Sequence, residues 1–200
     1  MLVRLYDKNP NERTLRKVVD ILDKGGVVIY PTDSVYAFGC KLNAVGAMER
    51  ISALASKDER MLTVVCSSIS EASEYVRIDN GQFRVLKRNT PGPFTFILNA
   101  SSAIPDRVLA KRKTVGIRIP DSPVAQAIVE AVGAPLYTAS LKEVDNDVAY
   151  TTDPELIGEY YAEKVDAVVS AGYGSVGETT IVDLTEGEAD VVRQGVGELK

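Results

Sequence analysis

The sequence predicts an α/β fold, a twisted open mixed sheet with flanking helices, and three observations predict it. Short β-branched runs alternate with segments of helical apolar spacing along the whole chain. No linker, internal repeat or low-complexity tract separates them. Two hundred residues, 45% of them apolar, suffice for one core of ordinary size or at most two small ones, so residues 1–200 are read as a single domain.

Taken in order, Leu15, Val18, Val19 and Leu22 recur at helical spacing and stop at Gly25-Gly26, which predicts a helix over 11–24. Val27-Val28-Ile29-Tyr30 then runs apolar into Pro31, as a buried strand does. Asn43 is expected to cap a helix carrying Val45, Met48, Ile51 and Leu54, after which the polar segment 56–60 leads to a strand over 62–66. Segments 70–75 and 80–87 read as short helices. Thr90-Pro91-Gly92-Pro93 is turn chemistry, followed by a strand over 94–98. A second β-branched run, 115–119, ends at Pro120; alternation turns Val115, Ile117 and Ile119 one way and Gly116 and Arg118 the other. Ser122-Pro123 opens a helix that Gly133 closes. A strand over 135–140, a helix opened by Asp153-Pro154 and running to about 164, and a strand over 165–170 come next. The tail, 179–184 and 189–193, has the outline of a hairpin with a four-residue connection.

Composition excludes whole classes of chemistry. With no histidine, Ser-His-Asp catalysis, His-bearing metal sites and imidazole acid/base work are ruled out. Cys40 and Cys66 are too few for a disulfide framework and lack zinc-ligand spacing, so both are expected to be buried and reduced. No apolar run approaches the roughly 20 residues of a membrane span, and no apolar signal core opens the chain, so a cytoplasmic protein with no membrane partner is expected. The net charge of −5 is unevenly spread: residues 84–118 hold eight basic side chains (Arg84, Lys87, Arg88, Arg107, Lys111, Arg112, Lys113, Arg118) and one acidic, Asp106. Such a stretch can concentrate phosphates locally. It can equally be a solvated loop.

Four features bear on chemistry. Gly172-Tyr173-Gly174-Ser175-Val176-Gly177 follows a strand like a dinucleotide-binding loop, but a strand instead of a helix comes after it, so a flexible glycine-rich loop is expected. Residues 30–39 (YPTDSVYAFG) place hydroxyls and a carboxylate after a buried strand, where open α/β sheets bind ligands and where a Ser/Thr-stabilised turn also fits. Arg118, inside a strand beside Gly116, must meet solvent, a protein carboxylate or a bound anion. Ligand grip and internal salt bridge are both consistent with it. Thr138 and Ser140 share a face of their strand, and Thr179 and Thr180 add hydroxyls. With no activated nucleophile and no strong base, such a site acts by holding anions and carbonyls in place, as nucleotidyl chemistry requires, with Mg²⁺ accompanying a nucleotide.

Residues 31–39, 90–95, 113–120, 179–184 and 192–195, in that order, resemble the YrdC-like threonylcarbamoyl-AMP synthase family, most nearly its YciO branch, over about residues 24–197. The resemblance implies a basic concave face on the sheet and the conversion of L-threonine, bicarbonate and ATP to threonylcarbamoyl-AMP and pyrophosphate, a step toward tRNA threonylcarbamoyl-adenosine. It implies that Thr32, Arg118, Thr138 and Thr179 stand on the threonine side, with Arg118 on the carboxylate. Thr114, Ser140 and Arg193 stand on the nucleotide side. Where the family carries Lys-x-Arg, the nearest basic pair is Lys57 and Arg60, and alignment backwards from Cys66 puts the family pair near Ala53 and Ala55 instead. The family's Ser-x-Asn is Ser140-Leu141-Lys142, and Cys66 stands where many synthases place a histidine. These departures are expected to weaken triphosphate positioning. The alternative is a non-catalytic or diverged YciO-type protein that uses the 84–118 stretch on nucleotides, or on the phosphates of double-stranded RNA or tRNA. A nicotinamide-dependent enzyme built on the Gly172 loop is the third reading.

Overall fold

The computed structural model describes residues 1–5, 10–55, 62–109, 111–142, 144 and 147–200. Its first half runs β1 (Leu2–Arg4), α1 (Glu12–Asp23), β2 (Val28–Tyr30), β3 (Ala37–Lys41), α2 (Val45–Leu54), β4 (Leu62–Val65), α3 (Ile69–Tyr75) and α4 (Asn80–Asn89). The second half runs β5 (Phe94–Asn99), α5 (Asp106–Leu109), β6 (Thr114–Arg118), α6 (Pro123–Val132), β7 (Leu136–Ser140), α7 (Ala149–Thr152), α8 (Pro154–Tyr160), β8 (Ala167–Ser170), β9 (Thr180–Asp183) and β10 (Asp190–Arg193).

Local chemistry starts most of the longer helices. The Asn11 side chain accepts from Thr14 N–H, Ser122 from Ala125 N–H and Asp153 from Glu155 N–H, while Asp79 and Gln82 form a reciprocal capping box. Asn43 does not cap α2. It lies within a turn in which Ala44 N–H donates to Lys41 O, so Ala44 takes the cap position without a side-chain bond. The helix opened by Asp153 also ends earlier than expected, at Tyr160, because Tyr161 leaves the helical region (φ −102°, ψ 10°) and the next bonds, Ala162 N–H to Glu159 O and Lys164 N–H to Tyr161 O, are i→i−3 turns. Strand β3 escapes the sequence pattern because it is buried on both faces and carries no β-branched residue, leaving neither alternation nor propensity to read.

All ten described strands join one mixed sheet in the order β1-β8-β2-β3-β7-β4-β6-β5-β9-β10. The β1/β8, β2/β8, β4/β6 and β5/β9 pairs are parallel and the rest antiparallel. One face packs against α2, α3, α4 and α8 through Ile51, Ala72, Leu86 and Ile157, with Phe38, Val64, Ile117 and Val182 from the sheet. Helices α1 and α6 cover part of the other face, where Val18, Leu22, Ile128 and Val129 meet Val28, Tyr30, Val65 and Leu136. That second cluster takes no described residue from β5, β6, β9 or β10. The uncovered part of this face is where the polar strand residues gather. Among the described residues, no helix is long and apolar enough to cross a membrane.

Both cysteines are buried and unpaired, as expected. Burial lifts the Cys40 thiol from its ordinary 9.0 to about 12 and moves Cys66 further the same way, helped by Glu71 and Glu74. A thiol reagent at pH 8 is therefore expected to modify neither in the native chain and both after unfolding. Because the folded values lie above the unfolded ones, the stabilising contribution is complete below pH 9.0 and is lost as pH climbs toward 12. Urea midpoints measured across that window check the direction.

Candidate functional site

Strand register builds the site. Gly116 lies opposite Thr63 on β4 and Ile97 on β5, and Arg118, two residues on, lies beside Val65. Paired residues share a face, so the Arg118 side chain rises from the sheet over the space Gly116 leaves empty. Its Nη2 donates to Asp33 Oδ1 at 2.7 Å and to Ser34 Oγ at 3.2 Å, and the two charged side chains are only 3% and 7% exposed. The other carboxylate oxygen of Asp33 accepts the Asp121 N–H at 2.8 Å. Thr32 stabilises its own turn: its hydroxyl donates to Val35 O at 2.8 Å and accepts from Ser34 N–H at 3.1 Å. The contacts bear out the turn reading of residues 30–39 and the salt-bridge reading of Arg118. The segment is a Ser/Thr-stabilised turn that supplies the counter-ion, yet Arg118 also lines an open cavity.

That cavity, about 150 Å³, brings Arg118 together with Thr138, Ser140, Thr179 and Arg193. Thr95 and Thr179 share a hydrogen bond at 3.0 Å between their hydroxyls. Thr138 Oγ1 donates to Phe38 O at 2.9 Å and accepts from the Tyr30 hydroxyl at 3.1 Å. Burial raises the Tyr30 phenol above its ordinary value, with the Thr138 bond and Arg118 opposing, so it remains a donor at neutral pH. The Tyr30 ring lies against Gly39, where a Cβ would come within 2.6 Å of it. Arg193 closes the far end: Nη2 donates to Thr179 O at 2.8 Å and Nη1 to Glu178 Oε2 at 2.7 Å. Among the described residues, the buried side-chain polar atoms without a hydrogen-bond partner are Arg118 Nε and Arg193 Nε. Buried donors are ordinarily satisfied, so two orphans of the same kind in one cavity mark where acceptor atoms belong.

Five residues singled out from the sequence, Arg118, Thr138 and Thr179 for the threonine side and Ser140 and Arg193 for the nucleotide side, line this one cavity. Thr32 does not line the cavity; its hydroxyl lies 3.0 Å from Ser34 Oγ, which in turn accepts from Arg118 Nη2. Thr114 stands at the opposite end of β6 from Arg118, paired with Asn99, and does not line the cavity. Lys57 and Arg60 lie outside the described residues. Thr63, Thr95, Lys142 and Glu178 line the cavity without having been singled out. Thr63 was recoverable only by knowing that it faces Gly116. The Gly172 loop passes through 178–179 into β9 without opening a helix, as expected. No group of three or more His, Cys, Asp or Glu residues able to hold a metal occurs among the described residues.

Comparison with known proteins agrees with this architecture. The Sua5/YciO/YrdC family model, described as telomere recombination, matches residues 20–195. YciO of Escherichia coli (strain K12) is 42% identical over 198 residues, covering 98% of this chain and 96% of the relative. The crystal structure of E. coli YciO superposes with a TM-score of 0.93 at 41% identity, covering 100% of this chain and 98% of that one. P. abyssi Sua5, in a crystal structure complexed with L-threonine, shares the fold with a TM-score of 0.85 at 23% identity, covering 98% of this chain and 57% of that one. A family model over most of the sequence and a full-length relative at this identity establish that the chain belongs to the Sua5/YciO/YrdC family.

Proposed function

We propose that the cavity binds L-threonine beside an adenine nucleotide, and that the chain acts as an L-threonylcarbamoyladenylate synthase-like protein serving tRNA modification. The observation that carries this reading is the pair of buried, unpartnered arginine N–H groups in a cavity otherwise lined by threonine hydroxyls. The threonine-bound structure of P. abyssi Sua5, which has the same fold, supports it.

In this reading the threonine carboxylate accepts from Arg118 Nε, while Asp33 and Ser34 hold Nη2 and so fix the plane of the guanidinium. The Thr95–Thr179 hydroxyl pair offers polar atoms to the substrate's own hydroxyl. Arg193, Lys142 and Ser140 meet the phosphate end. The amine attacks the bicarbonate carbon, water leaves, and the resulting carbamate oxygen attacks the α-phosphorus of ATP as pyrophosphate departs. The chain supplies no histidine, so its contribution is proximity and charge stabilisation. Magnesium would be carried in on the nucleotide phosphates and would need few protein ligands of its own.

Isothermal titration with L-threonine and with ATP, followed by a pyrophosphate-release assay with bicarbonate present, tests the reading. Saturable threonine binding and threonine-dependent pyrophosphate release are expected. Threonine binding without release would leave a diverged binding protein. No threonine binding would remove the site assignment.

A further inference from the structure

We propose that Glu178 sets charge selectivity on the nucleotide side of the cavity, holding back polyphosphates relative to a phosphate monoester, so that an adenylate is retained while pyrophosphate is released. The inference rests on reading the cavity as a nucleotide site, and it assigns Glu178 a role of its own within that site.

Among the described residues, Glu178 is the one carboxylate lining a cavity whose other charged residues, Arg118, Lys142 and Arg193, are cations. Its Oε2 lies 2.7 Å from Arg193 Nη1, and the two side chains are 60% and 40% exposed. The contact is not needed to place Arg193, because Nη2 is anchored separately on the Thr179 carbonyl at 2.8 Å. Nor does the side chain place its own backbone, since the Glu178 carbonyl accepts the Val196 N–H at 3.0 Å. With Nη1 and Nη2 both engaged, Nε remains the buried donor without a partner. One such N–H suits one ligand oxygen, whereas a triphosphate brings several charged oxygens to cations that Glu178 already partly neutralises. Repulsion from a fixed carboxylate grows with the charge on the ligand, so it falls hardest on ATP and pyrophosphate and least on AMP.

The test is a set of titrations of the full chain with AMP, ATP and pyrophosphate at fixed ionic strength, for the wild type, Glu178→Gln and Glu178→Asp. Glu178→Gln is expected to tighten AMP by about threefold and ATP and pyrophosphate by about tenfold, since the more highly charged ligands escape the greater repulsion. Glu178→Asp, which keeps the charge, is expected to retain the wild-type ratio. Equal gains for all three ligands, or a loss of affinity showing that the carboxylate merely braces Arg193, would overturn the proposal and leave the nucleotide site standing. Failure of every nucleotide to bind wild type and variants alike would overturn both.

Discussion

Arg118→Met is expected to abolish L-threonine binding and, as a single change, to destabilise the chain by about 3–5 kcal/mol. The loss of binding follows from removing the buried Nε donor and the positive charge in one step. The loss of stability has a different origin. Asp33 is 7% exposed and keeps only the Asp121 N–H as a described partner once the guanidinium is gone, so a carboxylate is left buried without its counter-ion. Adding Asp33→Asn removes that stranded charge. The double variant should therefore recover most of the urea midpoint while threonine binding stays absent. Titration calorimetry and urea denaturation on the single and double variants separate the two effects. Recovery of binding in the double variant would take Arg118 out of the ligand set.

The second large effect is expected at Gly195. A Cβ there would lie 2.2 Å from Glu178 O and 2.6 Å from Thr179 O, both backbone atoms that cannot swing away. The 194–197 turn is tied to β9 by Thr180, whose hydroxyl donates to Gly197 O at 2.6 Å and accepts the Gly195 N–H at 2.9 Å. Forcing the strands apart breaks those bonds and moves Arg193 and Thr179 together. Gly195→Ala should cost about 3 kcal/mol by urea denaturation and weaken nucleotide binding as well. Gly46→Ala provides the contrast: it sits on α2 with no atom within 4 Å of the added methyl, and a gain of up to about 1 kcal/mol is expected from helix propensity. Equal effects at the two glycines would show that close approach at Gly195 is not what matters.

Arg118 illustrates what local pattern can and cannot say. Alternation along β6 put its side chain on the face opposite Val115 and Ile117, and the structure agrees. Alternation could not say whether a carboxylate or a ligand meets it there. The answer includes Asp33, 85 residues away in sequence, brought close by the crossing of the chain from β2 to β6. Thr63 and Thr95 acquire meaning in the same manner, only once β4 and β5 are known to flank Gly116 and Arg118.

The amino-acid order alone carries the α/β class, most helix and strand positions, the capped starts of α6 and α8 and, in part through motif resemblance, the set Arg118, Thr138, Ser140, Thr179 and Arg193 that one cavity brings together. These depend on periodicity, caps and short motifs, which act over a few residues. Long-range packing settles that Arg118 and Arg193 each keep one buried N–H without a partner, and that Glu178 stands among the cavity's cations. Those facts follow from strand order and register. They arise where β6 lies between β4 and β5 with Arg118 held by Asp33, where β9 pairs with β5 and where the 194–197 turn folds back onto β9, contacts between segments too far apart in the chain for any local pattern to encode.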